Sequence, residues 1–176
     1  MGSFKYPSDF MLVAAVNPCP CGYYPNRNKC RCSEMQIKNY IGKLSGPILD
    51  RIDICVQTEP LEYDNLKSNK INNESSEEMR KKIGIARGKQ AKRFAGTNIR
   101  FNSEMTVNEI KQYCVIDKKD EAFLEKAFKN FNLSARSYHK ILRVARTIAD
   151  LDNSENILKK HLLEALNYRI GNIYNQ

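Results

Sequence analysis

The sequence predicts a mainly α-helical protein in which a remnant of an α/β core is followed by an α-helical bundle. Two short apolar runs of the kind that form buried strands occur, both before residue 60. From residue 74 onward, apolar residues recur with helical spacing, and capping residues precede most of these runs. The stretch between them is polar and has no period. We therefore expect a core remnant over residues 1–60, a linker over 61–73 and a helical domain over 74–176.

The first part contains two predicted strands and a predicted helix. Residues 10–16, FMLVAAV, form a continuous apolar run bounded by turn residues, which is typical of a strand covered on both faces. Residues 54–57 predict a second strand. Ser33 and Gln36 make a capping box, so a helix is expected to begin there and to end near Leu44. Two strands and a helix do not make a complete domain.

The second part is predicted to be helical throughout. Ser75 and Glu78 form a capping box for a helix that reaches about Phe94. Its apolar stripe is predicted to be Met79, Ile83, Ala86 and Phe94. Further N-caps are predicted at Thr106 with Glu109, at Asp117 and at Ser134. In the helix after Ser134, six residues are expected to lie on one apolar face: Tyr138, Ile141, Leu142, Ala145, Ile148 and Ala149. A last helix over about 157–169 is expected to bury Leu158, Leu162, Ala165 and Leu166.

Composition and charge limit the classes of protein to which the chain can belong. The chain has 176 residues, of which 41% are hydrophobic, enough to bury the core of one ordinary domain. No apolar run is long enough for a membrane span, and the N-terminus MGSFKYPSDF lacks the features of a signal peptide. We therefore expect a cytoplasmic protein that does not enter a membrane. The formal net charge of +9 favours an anionic partner, of which nucleic acid is the commonest.

Four cysteines lie in one short segment, as two Cys-x-Cys pairs separated by eight residues: Cys19, Cys21, Cys30 and Cys32. Thiols stay reduced in the cytosol, so such a cluster indicates metal or redox chemistry before structural disulfides. Four thiolates can supply a closed tetrahedral Zn²⁺ site. The alternatives are four reduced thiols packed in a turn, or a redox pair. The other two cysteines, Cys55 and Cys114, are expected in the core, and His139 and His161 at the surface or in packing.

A basic segment begins the helical domain. It comprises Arg80, Lys81, Lys82, Arg87, Lys89, Lys92 and Arg93, with no acidic residue among them. A helix with this charge could contact the phosphates of DNA, because phosphate contacts need charge more than sequence readout. Such runs are also common on solvated helix faces, and the sequence leaves both interpretations open.

Four motifs in order resemble one known family. The stretches LVAAVNPCPCGYY, CRC, SGPILDRIDI and LSARSYHKILRVARTIADL are similar to the C-terminal part of bacterial magnesium chelatase-like AAA+ ATPases of the ComM/YifB type. The resemblance covers nearly the whole chain. It implies that residues 1–60 are the end of an AAA+ core and that residues 74–176 are its helical lid. No G-x-x-x-x-G-K-[ST] phosphate loop occurs, so that loop is expected upstream and the chain alone is expected to be inactive.

The resemblance implies roles for three residues. Asn17 matches sensor 1, a neutral amide that orients the attacking water. Arg51 matches the arginine finger that enters the neighbouring subunit's nucleotide site, and Arg136 matches sensor 2, which contacts the γ-phosphate from the lid. Each has a local alternative: an Asn-Pro turn for Asn17, an ion pair with Asp50 or Asp53 for Arg51, and, for Arg136, a solvated face shared with Lys140 and Arg143.

The function implied is that of a motor that uses ATP and Mg²⁺ and assembles as a homo-oligomeric ring, such as a hexamer. Its implied partner is DNA, on which it would act as a helicase or branch-migration factor in recombination or natural transformation. One alternative is the motor subunit of magnesium chelatase, which the cysteine pairs argue against. Another is a zinc-stabilised adaptor that binds nucleic acid or protein without ATPase activity. We further expect residues 1–60, which lack the sheet's central strand, to be rearranged or paired with a second copy.

Overall fold

A computed structural model describes residues 4, 10–44, 46–49, 51–58 and 74–169. In these residues the protein has seven α-helices, one 3₁₀ turn and no β-strand, which confirms the mainly α-helical expectation. The described residues up to Leu49 form one compact unit, and those from Arg51 onward form a second. The predicted linker over residues 61–73 lies outside the described residues.

The first unit contains α1 (Glu34–Ile41) and α2 (Gly46–Leu49). The capping box of α1 is present as predicted: Ser33 Oγ accepts from the Gln36 N–H at 3.2 Å, and Gln36 Oε1 accepts from the Ser33 N–H at 2.9 Å. The helix ends at Ile41, three residues before Leu44.

The second unit contains five α-helices and a 3₁₀ turn at Asn102–Glu104: α3 (Ser76–Arg93), α4 (Val107–Tyr113), α5 (Lys118–Asn130), α6 (Ala135–Leu151) and α7 (Lys159–Asn167). The N-caps are those predicted, at Ser75, Thr106, Asp117 and Ser134. The last helix is shorter than expected. Ile157, which was expected to begin this helix, instead makes a parallel β-bridge with Ile116.

Both predicted strands are wrong for the described chain. Residues 10–16 have no regular secondary structure, and Met11 and Val13 are 86% and 81% exposed. Residues 54–57 are also irregular, and their one described backbone hydrogen bond runs from the Cys55 N–H to the carbonyl of Tyr168, at 2.9 Å. An apolar run becomes a strand only where a neighbouring strand shares its hydrogen bonds, and the described residues contain no such strand.

Helix α6 lies at the centre of the second unit and packs against α3, α4 and α7. Its predicted apolar face is confirmed: four of the six residues are buried and Tyr138 and Ile148 pack against the same core. Leu162, Ala165 and Leu166 of α7 are buried as predicted, whereas Leu158 is 41% exposed because it precedes the helix as its N-cap.

The predicted apolar stripe of α3 is half wrong. Ala86 and Phe94 are buried, but Met79 and Ile83 are 48% and 51% exposed. The buried residues of the helix all lie at or after Ala86, so its N-terminal half projects beyond the core. The spacing of apolar residues identifies which face of a helix is apolar. It does not reveal how much of that face a neighbouring element covers.

A buried ion cluster joins α3 to α6. Asp150 is fully buried and accepts two hydrogen bonds from Arg93, at 2.5 and 2.8 Å, and one from Asn102 at 2.9 Å. The Arg146 guanidinium lies 3.1 Å from the same carboxylate. Burial alone would raise the pKa of Asp150, but the hydrogen bonds from Arg93 and Asn102 hold it below its ordinary value.

We expect Asp150→Asn to lower the free energy of unfolding by about 3 to 5 kcal/mol, because the buried guanidinium of Arg146 and the largely buried one of Arg93 lose their counter-charge. Glu125→Gln is the matched control, since it breaks a solvent-exposed pair with Lys129, which should contribute little to stability. Urea unfolding of both variants compares the two. The folded-state pKa of Asp150 is lowered, so its contribution is lost as pH falls below the ordinary carboxyl range. Equal costs for both variants would contradict the role of the cluster.

Candidate functional site

The first pair of cysteines is brought together by a tight turn. The Gly22 N–H donates to the carbonyl of Cys19 at 3.0 Å, and Gly22 has a φ of +82°, which favours glycine. A side chain at Gly22 would also approach Asn17, whose Cγ lies 4.0 Å from the position of the added Cβ. The turn places the Sγ atoms of Cys19 and Cys21 3.3 Å apart.

The second pair is brought to the first by the loop that follows. The Cys30 N–H donates to the carbonyl of Asn26 at 2.8 Å, which turns the chain back. Cys30 Sγ then lies 3.8 Å from Cys19 Sγ and 3.6 Å from Cys21 Sγ. The start of α1 is tied to the same loop, because Arg27 donates to the carbonyl of Cys32 at 3.3 Å and pairs with Glu34.

The four cysteines fit a tetrahedral metal site. All four Sγ atoms lie within 4.8 Å of one another, and all four cysteines are free thiols. Sulfurs bound to one Zn²⁺ at about 2.3 Å in tetrahedral geometry would be about 3.8 Å apart. The Sγ separations among Cys19, Cys21 and Cys30 are 3.3, 3.6 and 3.8 Å, at or just below that value. The cluster can therefore bind a metal ion such as zinc, as the spacing of the cysteines predicts.

The thiols of this cluster differ in pKa. The backbone N–H of Tyr23 lowers the pKa of Cys21 to about 6. Burial beside the other thiols raises the pKa of Cys32 to about 11. At neutral pH the cluster thus carries a thiolate at Cys21, which is the form of cysteine that binds a metal ion, and a cation would displace the remaining protons.

The residues matched to nucleotide sensing are all exposed. Asn17 lies in the first unit, two residues before Cys19. Arg51 and Arg136 lie in the second unit, Arg51 at the start of the irregular segment 51–58 and Arg136 in the first turn of α6. Of the two acids weighed as partners of Arg51, Asp50 lies outside the described residues and Asp53 is exposed.

The sequence did not indicate the contact that Lys140 makes in the second unit. Lys140 Nζ donates to the carbonyl of Ile52 at 2.6 Å, although Lys140 had been assigned only to a solvated face. A spacing of four residues from Arg136 places both side chains on one face of α6. That spacing is a weak signal, because it does not reveal a partner 88 residues away.

The basic segment of α3 divides into residues with different surroundings. Lys81 and Lys82 pair with Glu77 and Glu74, and Arg93 is committed to Asp150. Arg80 is exposed. Arg87 lies over the ring of Phe101 at 5.2 Å. Lys89 and Lys92 line a separate groove of about 720 Å³, whose lining also includes Gln112, Tyr113, Asn153, Glu155 and Asn156.

Comparison with known proteins identifies the family. Residues 73–169 match the family described as magnesium chelatase, subunit ChlI C-terminal, and residues 1–66 match magnesium chelatase, subunit ChlI. The chain therefore belongs to the magnesium chelatase ChlI-like family, as the four motifs indicated. In the part of the chain that the structure describes, no helix is long and apolar enough to cross a membrane.

Several relatives align with almost the whole chain. Competence protein ComM of Haemophilus influenzae is 41% identical over 165 residues, and the uncharacterized protein YifB of Escherichia coli is 38% identical over 164. An uncharacterized protein of Mycobacterium tuberculosis is 32% identical over 164 residues. The alignments cover 93 to 94% of this chain but only 31 to 32% of each relative. The chain thus spans about a third of the length of these proteins.

Proposed function

We propose that this chain is the part of an ATP-driven ring motor that carries sensor 1, the arginine finger and sensor 2, and that the intact protein acts on DNA. The family match over both segments of the chain supports the ATPase assignment. The observation that carries the assignment of residues is the position of Arg136, exposed in the first turn of the 17-residue helix α6. A cation there opposes the helix dipole at a cost of about 0.3 to 1 kcal/mol.

Binding of a phosphate group by Arg136 would account for that cost. A phosphate group placed at the N-terminus of α6 would be stabilised by the helix dipole and by the Arg136 guanidinium. Asn17 would orient the attacking water without adding charge, and Arg51 would offset the charge that develops on the transferred phosphoryl group of a neighbouring subunit. ATP and Mg²⁺ would be held chiefly by the phosphate loop and its acidic partner, which are not among these residues.

The four cysteines hold Zn²⁺ in this proposal, and the role of the ion is structural. A closed set of four thiolates leaves no open position for water or substrate. Within the described first unit the buried side chains are those of Cys19, Cys30 and Ile37. Zinc would therefore supply the stability that so small a core cannot.

DNA is favoured as the partner by charge and surface. The net charge is +9, and Lys89 and Lys92 line a groove that also contains Tyr113. Lysines beside an aromatic ring suit a single strand, whose phosphates need charge and whose bases can stack. The relative named as a competence protein is consistent with this partner.

The alternative motor, a magnesium chelatase subunit, is supported by the family descriptions themselves.

One experiment separates the DNA motor from the magnesium chelatase subunit. ATP hydrolysis by the intact protein is measured with and without single-stranded DNA, and the 176-residue chain is measured alone. We expect no hydrolysis by the chain alone and stimulation of the intact protein by DNA. An intact protein that hydrolyses no ATP overturns the proposal, and hydrolysis indifferent to DNA removes DNA as the partner.

We expect the double variant Lys89→Gln, Lys92→Gln to weaken binding of an oligonucleotide and to flatten its salt dependence. Removal of two phosphate contacts should reduce the slope of log K against log salt by about 1.4 for single-stranded DNA. Fluorescence anisotropy over a salt series measures the slope. The control is Lys119→Gln, Lys126→Gln on α5, which makes the same change in net charge at two exposed positions. An equal reduction in both double variants would reflect net charge alone and would contradict a site on α3.

A further inference from the structure

The cysteine loop is the segment of residues 19–32 that contains the four clustered cysteines, and it carries three basic residues and no acidic residue. Arg27 is committed to the fold of this loop, because it pairs with Glu34 and donates to a backbone carbonyl. Lys29 and Arg31 are exposed, and neither side chain has an ion pair or a hydrogen bond with any described residue. Two cations of the loop are therefore available to an anionic ligand.

The two tyrosines of the cysteine loop differ in the same way. Tyr24 packs against the cysteines, and the guanidinium of Arg27 lies over its ring at 4.9 Å. Tyr23 is 55% exposed, and its ring contacts no aromatic or cationic side chain among the described residues. One tyrosine is thus part of the small core of the first unit, and the next one along the chain presents its ring to solvent.

The cysteine cluster brings the exposed tyrosine close to the available cations. Cys21 Sγ lies 3.6 Å from Cys30 Sγ, and Lys29 and Arg31 flank Cys30 in the chain. The backbone N–H groups of Tyr23 and Arg31 both face the Cys21 sulfur, and both lower the pKa of that thiol. The two residues are therefore neighbours in space, although the long part of the loop separates them in sequence.

We propose that the cysteine loop is a contact surface for single-stranded DNA, in which Lys29 and Arg31 bind phosphates and the ring of Tyr23 stacks on a base. This rests on the proposed function, which supplies DNA as the partner, and it adds a binding site that lies outside α3. An exposed ring beside unpaired cations is the combination by which proteins hold a single strand without reading its sequence.

Charge complementarity favours DNA over a protein partner. Over residues 17–44, five side chains are basic and one, Glu34, is acidic, and that one is already paired with Arg27. A protein surface of ordinary composition carries charges of both signs, whereas every phosphate of a single strand is negative. The exposed tyrosine favours a single strand over a duplex, because the bases of a single strand are free to stack on it.

The first test measures binding of a deoxythymidine oligonucleotide to the intact protein by fluorescence anisotropy over a salt series. In the double variant Lys29→Gln, Arg31→Gln, the slope of log K against log salt should fall by about 1.4, because two phosphate contacts are lost. The matched control is Lys38→Gln, Lys43→Gln, which makes the same change in charge at two exposed positions of the first unit. An equal reduction in both double variants overturns the site on the loop.

The second test concerns the ring. Tyr23→Ala should weaken binding of the same oligonucleotide about 5- to 150-fold, because the stacked base is lost. Tyr23→Phe keeps the ring and should keep the affinity within about twofold. A residue that only supported the fold of the loop would lose affinity in step with the zinc content, so zinc is measured in each variant. Unchanged affinity in Tyr23→Ala overturns the stacking role.

A third measurement uses the wild-type protein and so does not depend on the folding of a variant. Acetylation of lysines by a reactive ester is compared with and without the oligonucleotide, and Lys29 should be protected while Lys38 is not. Equal rates at Lys29 in both conditions overturn the proposal. If the oligonucleotide binds and Lys89→Gln, Lys92→Gln weakens it while Lys29 stays reactive, only this inference fails. If the intact protein binds no DNA, DNA as the partner in the proposed function fails as well.

Discussion

Replacement of Arg51 by alanine is expected to lower ATP turnover by the intact protein about 10³-fold or more, while nucleotide affinity stays within about twofold. An arginine finger contributes about 10³ to 10⁵ in rate because its planar, permanently charged guanidinium offsets charge that develops only in the transition state. Such an interaction affects kcat and leaves binding unchanged. Steady-state hydrolysis and the binding of a fluorescent ATP analogue give the two quantities.

Arg51→Lys is the control for this experiment. Lysine keeps the charge but loses the planar pair of donors, so we expect turnover between that of the wild type and that of Arg51→Ala. A local structural role gives a different pattern: ATP turnover would be normal in both variants, and the chain would instead lose thermal stability. Normal hydrolysis by Arg51→Ala would mean that Arg51 is not the finger.

Loss of the metal is expected to unfold the cysteine loop and α1 while leaving α6 folded. The apparent free energy of zinc binding to a four-ligand structural site is about 10 to 16 kcal/mol, and the described first unit buries too few side chains to replace it. We expect about one zinc per chain in protein purified without added metal. Cys30→Ser should retain less than about a tenth of an equivalent and lose hydrogen-exchange protection over Glu34–Ile41.

The control for the metal is Cys55→Ser, which removes a thiol outside the cluster and should retain the zinc. The pH dependence has a definite sign. Protons compete with the metal for the four sulfurs, so affinity should fall as pH is lowered, most steeply below the pKa of about 6 of Cys21. Wild-type protein with less than about a tenth of an equivalent of zinc and an ordered loop would contradict the assignment.

Local features of this chain could be predicted from the sequence because their partners lie close by in the chain. The capping boxes at Ser33 and Ser75 involve residues three apart, and the face of α6 follows from helical periodicity. The cysteine cluster was predictable for the same reason, since its two pairs are joined by one short loop.

Features that depend on distant residues could not be predicted in this way. The run over residues 10–16 has the composition of a strand, but its pattern does not reveal whether a neighbouring strand is present. Arg93 has the same charge as Lys89, yet it binds Asp150, 57 residues later in the chain. Lys140 was likewise indistinguishable from a solvated lysine until its contact with Ile52 was known.

The central claim is that Arg51 completes the active site of a neighbouring subunit, and mixed rings test it most directly. Arg51→Ala protein is mixed with a variant whose phosphate loop is inactive, each without activity alone, and ATP hydrolysis by the mixture is measured. Some interfaces will pair an intact phosphate loop with an intact Arg51, so we predict that activity returns. Co-assembly of the two variants, confirmed by pull-down of one through a tag on the other, with no return of hydrolysis would contradict the claim.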